Sequence, residues 1–201
     1  NKVNKIQTNT NQLGYAKAQI NNMFIVSQTE DSLILIDQHA AHERIVLENL
    51  KKNYKKRKIL KQVLLLPEVV NIEEGKLLLL KNKKAISELG FEFDDYGENS
   101  IIVREIPAIL GKINIDSLFQ DLTEQINVLG EINPEDSGIE RILSSIACHN
   151  SVRAGKKLNI EEMNSILRLM EKTPNSSQCN HGRPTFVELR LKDVEALFGR
   201  T

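Results

Sequence analysis

The sequence predicts an α+β fold: an antiparallel sheet with helices, interrupted by an inserted α+β segment. Three observations carry this. Short apolar and alternating runs precede Asp37, a long helical pattern follows it, and no regular strand–helix–strand alternation develops afterwards. The chain has 201 residues, 40% of them hydrophobic, enough to bury a core in one or two domains. His and Cys occur only at 39–42, 148–149 and 179–181, so the middle of the chain differs in character from its ends. The expected division is 1–66 together with 145–201 as one discontinuous subdomain, and 67–144 as an external one.

Gln12–Ile20 alternates apolar and polar residues as a half-buried strand does, Asn21-Asn22 makes a turn, and Met23–Thr29 is a second strand. Leu33-Ile34-Leu35-Ile36 is a third, which delivers Asp37 to a helix running to about Tyr54. Gln62-Val63-Leu64-Leu65-Leu66-Pro67 has two readings, a buried strand ended by proline or an extended peptide that docks in a hydrophobic groove on another protein. Glu73 to Gly90 reads as one lysine-rich helix, Phe91–Phe93 and Ile101–Arg104 as a hairpin around 94–99, and Ile115–Leu129 as a helix, with breaks at Gly111 and Asn133-Pro134. Cys148 falls on a helix, Asn159–Glu171 is a further helix, Phe186–Leu191 a closing strand, and Asp193–Phe198 a short helix with an N-cap aspartate.

Net charge is zero, 27 Lys+Arg against 27 Asp+Glu, which argues against strong autonomous binding to nucleic acid. The basic run Lys51, Lys52, Lys55, Lys56, Arg57, Lys58 and Lys61 reads either as a solvated helix end or as a DNA contact. No run is long enough to span a bilayer and residues 1–12 are polar, so no membrane association and a cytoplasmic location are expected. The start at Asn1, without Met, suggests a domain of a longer chain. In that compartment the two cysteines stay free or bind metal.

The chemistry gathers where the third strand ends. On a helix beginning near Ala40, His39 and Glu43 project to one side, and Asp37 lies close by on the strand end. Two carboxylates and an imidazole suit a divalent cation, and Val46 and Leu50 on the same side imply that the group faces inward. Glu48 falls on the outer face, where Arg44 or Lys52 can pair with it. Cys179-x-His181 places a thiolate and an imidazole in an extended loop stiffened by Gly182 and Pro184. With Cys148 these residues use both cysteines and half of the histidines, leaving His42 and His149 for the surface or for DNA. The alternative is that all are core and loop fillers.

Asp37-Gln38-His39-Ala40, then Glu43 and Glu48, resembles the endonuclease motif of the MutL mismatch-repair family. Ala147-Cys148-His149 resembles its Ala-Cys-Arg motif, Cys179-Asn180-His181-Gly182-Arg183-Pro184 its Cys-Pro-His-Gly-Arg-Pro motif, and Phe198-Gly199-Arg200 its terminal Phe-x-Arg. His149 and Asn180 depart from the pattern. The resemblance implies the C-terminal region of such a protein, homodimeric through its N- and C-terminal segments, with the middle as an external subdomain. It implies a latent endonuclease that nicks duplex DNA, with Asp37, His39 and Glu43 catalytic. Asp37, His39, Glu43, Cys148, Cys179 and His181 would form the metal site, with Zn²⁺ regulatory or structural and Mn²⁺ serving activity. Gln62, Leu64, Leu65, Leu66 and Pro67 would bind the replication sliding clamp, and MutS would be a further partner. No nucleotide site is present, since no phosphate-binding glycine loop occurs. Arg153, Lys156 and Lys157 are candidates for phosphate contacts, and weak intrinsic grip on DNA would make clamp tethering matter. The competing class is a non-catalytic, zinc-stabilised dimerisation and docking module.

Overall fold

The computed structural model describes residues 11–130, 132, 137–149 and 155–200. They form two units, residues 11–45 with 155–200, and residues 46–149. The borders lie elsewhere than at 66/67 and 144/145. The reason is visible in the helix after Asp37: its Ala41 and Ile45 belong to one apolar core, whereas Val46, Leu47 and Leu50 belong to the other. Residues 61–66 likewise go with the second unit, because their strand pairs inside that unit's sheet.

The first unit is built on an antiparallel sheet of β1 (Tyr15–Ile20), β2 (Phe24–Gln28), β3 (Ser32–Asp37) and β7 (Phe186–Arg190), in the order β1-β2-β3-β7. Asn21 and Asn22 take left-handed backbone, φ 50° and 53°, in the first turn, a conformation that asparagine tolerates better than most residues. Burial alternates along β3, with Ser32, Ile34 and Ile36 inside. Opposite them lies α6 (Ile160–Lys172), whose Met163, Leu167 and Met170 share a core with Ile25, Ile34 and Ile36. The start of α6 is fixed by a capping box: the Asn159 side chain accepts from the Glu162 amide, and Glu162 reaches back to the Asn159 amide. The last helix, α7 (Leu191–Leu197), starts two residues earlier than expected. Arg190 occupies its N-cap position without a side-chain bond, and Asp193 sits in the first turn rather than capping. There its carboxylate still favours the positive end of the helix dipole.

The second unit holds the antiparallel sheet β4-β6-β5, with β4 (Lys61–Asn71), β5 (Glu92–Tyr96) and β6 (Ser100–Pro107). Its core is an aromatic cluster, Phe91 and Phe93 each meeting Phe119 edge-on at 5.6 and 5.5 Å, surrounded by aliphatics of α4 (Ile115–Leu129) and α5 (Ser137–His149). The single helix expected over 73–90 is two, α2 (Lys76–Lys81) and α3 (Lys83–Glu88). Asn82 breaks it: buried between them, its side chain donates to the carbonyls of Leu78 and Gly130 and accepts from the Ile132 amide. The buried-strand reading of Gln62–Pro67 is also corrected. β4 continues through Pro67 to Asn71, but pairing jumps from Val63↔Glu105 to Glu68↔Val103, so residues 64–67 bulge away from β6. Leu65 is fully and Leu66 largely solvent-facing, while Leu64 packs against the core. The break expected at Asn133-Pro134 lies outside the described residues. Among the described residues no helix is long and apolar enough to cross a membrane.

Candidate functional site

The site begins with α1 (Gln38–Lys55), which follows β3 without a connecting loop. The Asp37 carboxylate ends the strand and accepts from the Ala40 amide at 3.0 Å, satisfying one of the orphan donors of the first helical turn. One turn on, His39 Nε2 and Glu43 Oε1 lie 3.2 Å apart. Glu43 is almost fully buried, and His39 retains an Nδ1 that is shielded from solvent and lacks a hydrogen-bond partner. The inward orientation expected of the group holds for Glu43, which is at most 5% exposed together with Val46 and Leu50, but not for His39, whose side chain is 41% exposed.

The loop bearing Cys179 and His181 comes to this same corner. The Asp37 amide donates to the Thr185 carbonyl at 2.9 Å, extending the β3–β7 pairing into the loop. Arg44 reaches this loop: Nε donates to the Gln178 carbonyl at 2.7 Å and Nη2 to the Cys179 carbonyl at 2.8 Å. The loop itself is a closed turn and not the extended segment expected. The Cys179 amide donates to Arg183 at 2.7 Å, the Gly182 amide to Cys179 at 3.0 Å, and Gly182 has φ 78°, which favours glycine. Cys179 is a buried free thiol whose Sγ accepts from the His181 amide at 3.4 Å, and His181 is exposed.

Thus Asp37, His39, Glu43, Cys179 and His181 all belong to the first unit, whereas Cys148 is half-buried on α5 in the second. Among the described residues no three His, Cys, Asp or Glu side chains are gathered as a ligand cluster. The donor chemistry does fit a borderline divalent ion. An imidazole nitrogen without a partner, a neighbouring buried carboxylate and a buried free thiol are the ligand types that zinc takes.

His149, expected at the surface, is only 15% exposed and its Nε2 lies 2.6 Å from Asp121 Oδ2, inside the second unit. Lys157 is exposed, Lys156 pairs with Glu162 at 3.0 Å, and Arg153 lies outside the described residues. The Glu162 carboxyl is held below the usual range, first by the Asn159 amide and then by Lys156. Of the basic run, Lys51 pairs with Glu140 at 3.1 Å and Lys61 with Glu92, while Lys52, Lys55, Lys56, Arg57 and Lys58 are exposed.

Sequence reasoning missed Arg44 and two amides. Gln38 is buried and accepts from Gln19 Nε2 at 2.6 Å; both side chains donate to the Lys156 carbonyl, at 3.4 and 2.9 Å, and Gln19 accepts from the Leu158 amide. These bonds hold residues 156–158 at the start of α1. The only sequence signal for them is Gln38 itself, a polar residue set between apolar strand and helix; Gln19 and Arg44 give none.

Residues 17–158 match the family model described as the MutL C-terminal dimerisation domain. The chain is 50% identical over 190 residues to the DNA mismatch repair protein MutL of Rickettsia bellii (strain OSU 85-389), covering 94% of this chain and 31% of that protein. Identity is 48% over 189 residues to the DNA mismatch repair protein MutL of Bradyrhizobium sp. (strain ORS 278), and 48% over 190 to that of Rickettsia akari (strain Hartford), with the same coverage. The chain thus spans about a third of the length of the relatives it matches, 31%. By the match over most of its length, the chain belongs to the family of MutL C-terminal dimerisation domains.

Proposed function

We propose that the chain is the homodimeric region of a mismatch-repair MutL protein that carries a metal-dependent endonuclease, nicking duplex DNA under stimulation by the sliding clamp. The observation that carries this is the His39–Glu43 pair at the start of α1 with the Cys179–His181 loop fastened beside it. Asp37, His39, Glu43, Cys179 and His181 would hold the ions, Zn²⁺ on the softer donors and Mn²⁺ on the carboxylates, and Cys148 is assigned as a ligand by the motif alone. A bound divalent ion would lower the pKa of a water and relieve charge on the phosphodiester. The protein's own part is orientation. With Nε2–H donated to Glu43, the His39 lone pair lies on Nδ1, the nitrogen with no other partner. Lys156 and Lys157, held by Gln19 and Gln38, would meet phosphate, and Arg153 is assigned with them by sequence.

Two further features support the partners. Residues 64–67 leave the sheet with Leu65 and Leu66 exposed, as an extended peptide that docks in a hydrophobic groove requires. The outward face of the first sheet aligns Val187, Leu35, Val26 and Ala18 in an apolar row across four strands, suited to a second copy. MutS remains a partner proposed from the family. The non-catalytic, zinc-stabilised dimerisation and docking module is the second reading, favoured by the match to a family model described as a dimerisation domain.

Nicking of supercoiled plasmid with Mn²⁺ decides between them. The chain should convert plasmid to open circles, and Asp37→Asn and Glu43→Lys should each slow this by at least about 100-fold, as loss of metal-assisted catalysis implies. Equal rates in all three overturn the nuclease reading.

A further inference from the structure

We propose that Arg44 is a positioning residue of the candidate metal site, acting on the backbone of the Cys179–His181 loop; the proposal rests on the metal reading given above. A guanidinium is a planar fork that fits neighbouring acceptors better than an ammonium does. Here two of its nitrogens take two successive carbonyls, those of Gln178 and Cys179, at 2.7 and 2.8 Å. Those carbonyls lie on either side of the Cys179 α-carbon, and the Cys179 amide between them donates to the Arg183 carbonyl at 2.7 Å. Arg44 follows Glu43 directly in α1. The helical turn that bears the carboxylate therefore also holds the backbone of the loop that bears the thiol. The Gln178–Pro184 bridge and the Gly182-to-Cys179 bond close the loop on itself. Outer groups that orient ligands without touching the ion commonly set its affinity by about 10–100-fold.

The test uses Zn²⁺ affinity by competition with a chromophoric chelator, and Co²⁺ spectra, in the wild-type chain and in Arg44→Gln and Arg44→Lys. Sulfur-bound Co²⁺ shows an intense near-ultraviolet charge-transfer band, which reports whether the thiolate is a ligand. Arg44→Gln should lower Zn²⁺ affinity by about 10–100-fold and weaken the band, with far-ultraviolet dichroism unchanged. Arg44→Lys, which keeps one donor for one carbonyl, should fall between. Should Arg44→Gln fail to fold, the lysine variant alone decides. Wild-type affinity and spectrum in the folded variants overturn the role of Arg44 while leaving the metal reading intact. A wild-type chain that binds neither ion, or binds Co²⁺ without the sulfur band, overturns the metal reading itself.

Discussion

Asp37 combines two roles that substitutions can separate. Its carboxylate caps α1 through the Ala40 amide, and it stands at the strand end where the catalytic group is proposed. Asparagine caps a helix about as well as aspartate, but alanine does not, at a cost of about 1 kcal/mol. Asp37→Asn should therefore melt within a few tenths of a kcal/mol of wild type and yet lose nicking, and Asp37→Ala should lose both activity and about 1 kcal/mol of stability in urea. Equal destabilisation by the two would refute the capping role. The Asp37, His39 and Glu43 corner was legible because helix periodicity is local: a spacing of four puts His39 beside Glu43 whatever the rest of the fold does. Arg44 was not, since its acceptors lie 134 and 135 positions away in the chain, and nothing in the local pattern distinguishes it from an exposed helix arginine.

Single elements show where patterning is decisive and where one polar contact overrides it. α4 spans the residues that its apolar spacing predicts, capped by Asn114 through the Ser117 amide. The run over 73–90 has the same helical spacing but is split, because Asn82 bonds to Gly130 and Ile132, partners no local window contains. Apolar content alone also misjudges Val63 to Leu66 as buried, since the register jump that expels Leu65 and Leu66 is set by β6. That jump yields a graded expectation. Leu64→Ala should cost on the order of 1–2 kcal/mol, less than the 2–5 of a fully buried leucine, whereas Leu65→Ala and Leu66→Ala should change stability by under about 0.5. Clamp stimulation of nicking should respond oppositely, with Gln62→Ala and Leu65→Ala abolishing it; unchanged stimulation would remove the clamp assignment. On β5, Glu92 is tied to Lys61 and Ser87, and those hydrogen bonds hold its carboxyl below the ordinary value of 4.5. A lowered folded-state value adds stability above the unfolded value and loses it as pH falls. Unfolding midpoints in urea should therefore decline below about pH 4.5 in the wild type and decline less in Glu92→Gln; parallel pH profiles would show that the pair contributes nothing.

At the scale of the whole molecule, the first sheet has a covered face and an uncovered one. Ile25, Ile34 and Ile36 face α6, and none is more than 2% exposed. On the other face, cross-strand register aligns Leu189 with Leu33, then Val187, Leu35, Val26 and Ala18 in one row, with Phe24 beside Ile20. Val187, Leu189 and Ile20 are about half exposed, at 51%, 47% and 48%. An apolar row crossing four strands is the kind of surface that a stable partner covers. A twofold axis through it would let the same patch serve both copies, so any substitution there enters the interface twice. Val187→Asp places a carboxylate at the edge-strand end of the longest row, where the side chain is exposed and the monomer has little packing to lose. Sedimentation velocity at micromolar concentration should give a dimer for the wild type and a monomer for Val187→Asp, with far-ultraviolet dichroism retained. An aspartate variant that still sediments as a dimer would place the dimer contact on some other surface, and the apolar row would then have to face a different partner.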